Sequence, residues 1–299
     1  MLLTLALTLA LILALILLVF HGLIHWGLRP ERLLEKKTPA HVGLDYEAHR
    51  VPTVAGKQLS AWFVPQREQD AAPAILLLHG WGGNMETMLP LAAPLHRAGY
   101  ALLFLDARCH GGSDGASFSS MPRFAEDLES GLDWLKRRPE VDAGRLAVIG
   151  HSVGAAAALL AASRRSDISA VVSIAAFSHP ARVMGAMFAA KRIPMFPIGW
   201  YILHYVQWVI GHTFDAIAPL HTIAKVACPV LLVHGVADQM VPLSDAEALQ
   251  ARRAGLPGYL MRVTGSHDSY DEIDERLPEL IRFLDEAMLG GTSSDPQTA

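Results

Sequence analysis

Five short stretches carry the residue types that acyl-transfer chemistry needs, and each directly follows an apolar run. They are HGWGGN (79–84) after AILLL, DARCHGGSDG (106–115) after LLFL, GHSVG (150–154) after LAVI, GVADQMVP (235–242) after LLVH and GSHDSY (265–270) after LMRV. The third has the form GxSxG, in which the chain leaves a strand, turns sharply and enters a helix, so that a serine hydroxyl stands out at the turn. Its glycines are needed because a Cβ at Gly150 or Gly154 would strike the neighbouring strand or helix. A glycine-rich turn with Ser152 as an incidental cap is the plain alternative, but the LAVI run before and the AAAALLAA run after supply the strand and the small-residue helix the motif requires.

A serine hydroxyl is a weak nucleophile until a base takes its proton, and the base must be held by a third group. On this kind of turn the partners follow in the order serine, acid, histidine. Downstream of Ser152, Asp238 sits in the loop after PVLLVHG and His267 in the loop after YLMRVTG. We therefore assign Ser152 as nucleophile, His267 as general base and then acid, and Asp238 as the carboxylate that fixes the imidazole. Asp268 points elsewhere by adjacency to His267, while Asp271 and Asp274 read as acids of a helix N-terminus. His204, His212 and His221 read as surface or insertion histidines, and His151 cannot easily turn back onto its neighbour's hydroxyl. His79 and His110 precede glycines and read as organisers of their loops. The oxyanion of a tetrahedral intermediate needs two N–H donors. One is that of Val153, after the nucleophile, and the other that of Trp81 in HGWGGN, with Gly82 as the alternative. HGWGGN lacks the GK[ST] ending of a phosphate-binding loop.

These stretches have to be carried by a scaffold that gathers strand ends at one rim. From about residue 45, β-rich runs (YEAHRVPTV, LSAWFVP, AILLLHG, YALLFLDA, RLAVIG, ISAVVSIAA, PVLLVHG, YLMRVTG) alternate with helical periodicity, as in 122–137 and 273–288. Strand and helix in turn imply βαβ units and a mostly parallel α/β sheet. The first two runs read instead as a polar-faced antiparallel pair at an edge. Ligands bind beyond the carboxyl ends of such strands, where the five stretches fall.

Two segments lie outside the alternation. Residues 2–20 carry no charge and are almost wholly apolar, and with residues 22–27 reach the roughly 20 residues that cross a bilayer. No Lys or Arg precedes Arg29 and the apolar stretch is longer than that of a secretory signal, so 1–28 reads as a retained single-pass membrane anchor. Arg29, Arg32, Lys36 and Lys37 follow it, placing the catalytic domain on the cytoplasmic side by the positive-inside rule. The second segment, 177–225, is far longer than one crossover helix requires and rich in Met, Phe, Trp, Tyr and Ile; it reads as an apolar lid insertion over an acyl-binding cleft. The resulting division is an anchor (1–28), a linker (29–44), an α/β domain (45–289) and a disordered tail (290–299).

A net charge of −4 offers no basic footprint for nucleic acid. Two cysteines, Cys109 and Cys228, form neither a disulfide scaffold nor a zinc pattern.

Taken together, HGWGGN, DARCHGGSDG, GHSVG, GVADQMVP and GSHDSY in this order resemble the α/β-hydrolase superfamily, and specifically its bacterial serine-aminopeptidase-like hydrolases, over roughly residues 40–288. The resemblance implies an α/β-hydrolase fold with an eight-stranded, mostly parallel sheet flanked by helices, a helical lid after the sixth strand, and a mechanism with no metal or cofactor. Cys109 stands where the commoner pattern has glycine. The family spans esterases, lipases, thioesterases and peptidases. The expectation is a serine hydrolase of carboxylic esters, with a small-molecule or lipid-derived acyl substrate. A peptidase, amidase or thioesterase with the same triad, or a non-catalytic binding protein at the membrane, are the alternatives. Oligomeric state is left open.

Overall fold

The computed structural model describes residues 1–68, 70–268 and 273–290. Eight strands form one sheet in the order β1-β2-β4-β3-β5-β6-β7-β8. They are β1 (Glu47–Thr53), β2 (Lys57–Val64), β3 (Ala72–Leu78), β4 (Ala101–Leu105), β5 (Val141–His151), β6 (Ala170–Ile174), β7 (Val230–Gly235) and β8 (Gly258–Val263). Strands β3 to β8 are mutually parallel, and β1–β2 and β2–β4 are antiparallel. This is the sheet expected from the apolar runs. One detail differs: β1 alternates between buried and open positions as an edge strand should, whereas β2 is mostly buried, because it pairs on its far side with β4.

Successive residues of a strand face opposite sides, so each central strand feeds two cores. Leu76, Leu78, Leu103, Leu105, Val148, Val171 and Leu232 pack on one face with α3 (Met121–Leu135) and α4 (Val153–Ala162). Ile75, Leu77, Leu102, Phe104, Ile149, Val172 and Val233 pack on the other with α10 (Ile273–Asp285) and the short α2 (Ala92–Arg97). Strands covered on both faces must be apolar at every position, which is why β3 reads APAILLL and is buried throughout. Helix α3 begins where Ser120 accepts from the N–H of Arg123 and Pro122 fixes the first turn. It buries Phe124, Leu128, Leu132 and Leu135, the stripe legible in the sequence. In α4, VGAAAALLAA, alanine gives both helix propensity and a thin side chain, and every residue from Gly154 on is buried.

Between β6 and β7 the chain forms α5 (Pro180–Ala190), a turn at Met195–Gly199, α6 (Trp200–Ile210) and two single-turn helices, α7 (Phe214–Ile217) and α8 (Pro219–Thr222). Helix α9 (Leu243–Arg252) joins β7 to β8. Of the tail expected over 290–299, only Gly290 lies within the described residues, and Asp271 lies outside them too.

Helix α1 (Leu2–Gly27) is long and apolar enough to cross a membrane, a test that a signal sequence near the N-terminus also passes; none of its most apolar window is buried. Its last turns touch the domain through Ile24, which is buried, and Phe20 and Leu28, which pack against the core. Residues 29–37 are tied down rather than loose. Arg29 donates to Ser117 O, and Arg32 to Gly111 O and Ser113 O. Asn84 donates to Leu33 O, and the N–H groups of Lys36 and Lys37 donate to Glu86. The Glu35 carboxyl is pressed against Asp106 beside Gly111, at which a Cβ would lie 2.0 Å from Asp106 Oδ2 and 2.2 Å from Glu35 Oε1.

Candidate active site

The turn at Ser152 is built by exclusion. A Cβ on Gly150 would lie 2.4 Å from the carbonyl oxygen of Gly154, and one on Gly154 would lie 2.4 Å from that of His79. Both obstacles are backbone, so neither can yield. Between them Ser152 adopts φ 53°, ψ −114°, a left-handed conformation that costs a non-glycine residue about 1–3 kcal/mol. Its N–H donates to Ile174 O at 2.8 Å, pinning the turn to the end of β6. The strain presents the hydroxyl at the rim and starts α4 with Val153, whose N–H, as the helix's first, has no intrahelical acceptor.

The structure brings Ser152, His267 and Asp238 into one hydrogen-bonded line. His267 Nε2 lies 2.9 Å from Ser152 Oγ, and His267 Nδ1 lies 2.7 Å from Asp238 Oδ2. A carboxylate only accepts, so the imidazole proton sits on Nδ1 and Nε2 is left to accept from the serine hydroxyl. Asp238 Oδ1 accepts from the N–H groups of Met240 and Val241 at 2.9 and 2.8 Å. Burial alone would raise the Asp238 pKa, but the bonds from His267 and the two N–H groups outweigh it and hold the carboxyl below its ordinary value. His234, on β7, donates through Nε2 to Val241 O and so ties down the loop that carries Asp238.

The HGWGGN loop lies on the serine turn: a Cβ on Gly80 would be 3.2 Å from Ser152 Cβ. Gly82, the alternative donor, spends its N–H on His110 Nε2 at 3.1 Å, whereas the N–H of Trp81 has no hydrogen-bond partner among the described residues. His110 in turn donates from Nδ1 to Arg108 O at 3.0 Å. His79 donates from Nδ1 to Gly80 O and accepts from Ala107 N–H on Nε2. Both histidines hold the two loops together, as expected from their positions. Burial, above all, pushes His79 down to about 3 and His110 down to about 4, so both stay neutral. Cys109 shows why glycine would be at home there. Its φ is +71°, and its Sγ accepts from Ala116 N–H.

Sequence reasoning missed His151. Its Nε2 lies 2.9 Å from the main-chain carbonyl of His267, and burial lowers its pKa to about 4. No local pattern could reveal a contact 116 residues away. Of the other rivals, His204 bonds its own helix at Trp200 O, and His221 bonds Asp215 O. Among the described residues, His151, His267 and Asp268 bring ligand atoms within 4.8 Å of one another. Both nitrogens of His267 are already committed to Asp238 and Ser152, so a cation there would have to break the line.

Residues 69–210 match the family model described as serine aminopeptidase, S33; the match ends before Asp238 and His267. The chain is 31% identical over 244 residues, 80% of each chain, to the uncharacterized protein Rv2307c of Mycobacterium tuberculosis. It is 26% identical to the alpha/beta hydrolase domain-containing protein WAV2 of Arabidopsis thaliana, over 73% of this chain and 70% of that one. The esterase Pf2001 of Pyrococcus furiosus superposes with a TM-score of 0.71 at 24% identity, covering 87% of this chain and 97% of the esterase.

Proposed function

Since this chain belongs to the α/β-hydrolase family of the S33 serine-aminopeptidase type, we propose that it is a membrane-anchored serine hydrolase that cleaves carboxylic esters through an acyl-enzyme. One observation carries the reading. Ser152 Oγ, His267 and Asp238 form a continuous line of 2.9 and 2.7 Å bonds at the carboxyl ends of the strands. In the proposed reaction Ser152 Oγ attacks the acyl carbonyl as His267 Nε2 takes its proton. The carbonyl oxygen becomes an oxyanion between the N–H groups of Trp81 and Val153, donors worth about 2.7–4 kcal/mol each. The imidazolium, steadied by Asp238, returns the proton to the departing alkoxide, leaving the acyl group on Ser152. Water then repeats the cycle and frees the acid.

An acyl rather than a peptide substrate is supported by the insertion that follows β6, which has no Asp, Glu, Lys or Arg from Ile193 to His212. A peptidase reading is kept by the description of the family. Residues 2–27 serve as the anchor, and Arg29, Arg32, Lys36 and Lys37 favour a cytoplasmic domain. The test is a panel of p-nitrophenyl esters and aminoacyl anilides offered to the detergent-solubilised chain, with Ser152→Ala as blank. Hydrolysis of the butyrate ester and not of the anilides is expected; the reverse would replace esterase by peptidase.

A further inference from the structure

Helix α6 of the insertion is bonded to the end of α1. His21 Nε2 lies 2.5 Å from Tyr201 Oη, and His25 Nε2 lies 3.1 Å from Tyr205 Oη. Each pair is one step of four residues along its helix, taken in the same direction, so the two helices run parallel over this turn. The rings reinforce the ladder: His21 stacks on Tyr205 with centroids 4.2 Å apart, and Phe20 meets Tyr201 at 5.7 Å. Depth along α1 can therefore be transferred to α6 residue by residue.

The charge-free stretch 2–20 is about 28 Å long at 1.5 Å per residue, close to the hydrocarbon thickness of roughly 30 Å. With α1 spanning, Phe20 marks the edge of the hydrocarbon and His21 to Gly27 pass through the headgroups. The ladder sets Trp200 level with Phe20 and Trp208 about 12 Å farther out. The turn Met195–Gly199 precedes α6 and stands on the bilayer side of Trp200. Its side chains face outward: Phe196 is 78% exposed, Met195 48% and Ile198 41%. Lys191 and Arg192 precede it, separated only by Ile193 and Pro194, and are exposed, where anionic headgroups would meet them. Around α6, at 100° per residue, exposed Trp200 and His204 lie to one side of the tyrosines that face α1 and exposed Trp208 continues their stripe, while buried Val206 points away toward the domain. Tryptophan and tyrosine are the residues that favour the membrane interface.

We infer that the insertion is a second membrane element: the Met195–Gly199 turn is wedged into the leaflet at the foot of α1, with its partner the acyl-chain and headgroup region of a lipid bilayer. This rests on the reading of α1 as a membrane-spanning helix. It places the helix nearest the lipid in the segment proposed to cover the active site, so an acyl substrate would be drawn from the leaflet.

The test is nitroxide accessibility on the full chain in phosphatidylcholine vesicles containing one part in five phosphatidylserine. Cysteines are placed singly at Phe196, Trp208, Leu9 and Met240, all exposed, and the unsubstituted chain gives the background from Cys109 and Cys228. The ratio of collisions with oxygen to collisions with an aqueous nickel chelate is expected to be several-fold higher at Phe196→Cys than at Met240→Cys, with Trp208→Cys between. A ratio at Phe196→Cys equal to that at Met240→Cys, while Leu9→Cys reads as lipid, overturns the wedge and leaves the anchor. An aqueous reading at Leu9→Cys overturns both. Turnover plays no part in the readout, so an inert enzyme with this order of depths contradicts the esterase proposal alone.

Discussion

His151 reaches past Ser152 beside it and donates a hydrogen bond of 2.9 Å to the main-chain carbonyl of His267. The turn that presents Ser152 thus also holds the loop that presents His267, and the distance between Ser152 Oγ and His267 Nε2 is set from both ends.

His151→Ala should therefore lower kcat while hardly moving KM, because it loosens the base without touching the acyl site. A loss of about two- to tenfold fits one hydrogen bond of 0.5–1.5 kcal/mol. His151→Gln, whose amide can donate to the same carbonyl, should recover most of it. Steady-state kinetics on p-nitrophenyl butyrate check this, and equal activity in all three proteins would show that the contact is incidental.

In the proposed oxyanion hole the acting groups belong to the backbone. Trp81→Ala keeps its N–H and should leave kcat for short esters within about threefold, whereas His110→Ala removes the acceptor that holds Gly82 and should cost kcat roughly 10- to 100-fold, below the full loss of a donor. Comparing the two variants at matched folded fraction by circular dichroism decides it. A larger loss for Trp81→Ala would point to the indole rather than the N–H.

Three buried histidines make the fold sensitive to acid. His79 at about 3, and His110 and His151 at about 4, remain neutral where an unfolded chain, with imidazoles near 6.5, is protonated. The unfolded state then binds more protons, so stability rises with pH in this window. It is fully present above about 6.5 and lost as pH falls toward 4, each histidine contributing up to about 1.4 kcal/mol per pH unit. Melting temperatures in detergent should fall steadily from pH 7 to pH 5. A flat profile would contradict the buried, neutral assignment.

Residues 29–37 respond in the opposite sense. Burial and then the adjacent Glu35 carboxyl push Asp106 well above the usual carboxylate range, against the pull of the Met85 and Gly112 N–H groups. A carboxyl raised in the folded state stabilises only while protonated, and its penalty grows as pH rises from near 3.9 through the folded value. Glu35→Gln removes one of the two charges and keeps the shape, so it should raise the melting temperature at pH 8 and change it less at pH 5. An unchanged or lower value at pH 8 would rule out repulsion between the pair.

What the sequence made legible was local or periodic. The GHSVG spacing, the apolar runs and the 3.6-residue stripe of α3 each report on neighbours in the chain, so the sheet, Ser152, and strand-end positions for Asp238 and His267 could be read directly. Contacts between distant segments had no such signature. The hold of His151 on His267, of His110 on Gly82, and of Glu35, Arg32 and Leu33 on the two loops beside the serine all join positions that no period relates. The ladder between α1 and α6 spans 180 residues. Composition showed that both segments were apolar, and only the fold brings them into contact.

The central claim is that Ser152 is a nucleophile activated by His267, and covalent trapping tests it most directly. The folded, detergent-solubilised chain should take up one fluorophosphonate, with the adduct on the peptide bearing Ser152 in mass spectrometry. Ser152→Ala should show no adduct, and His267→Ala should label at least a hundredfold more slowly, as expected of a serine without its base. An unlabelled folded protein, or an adduct that persists in Ser152→Ala, would contradict the account.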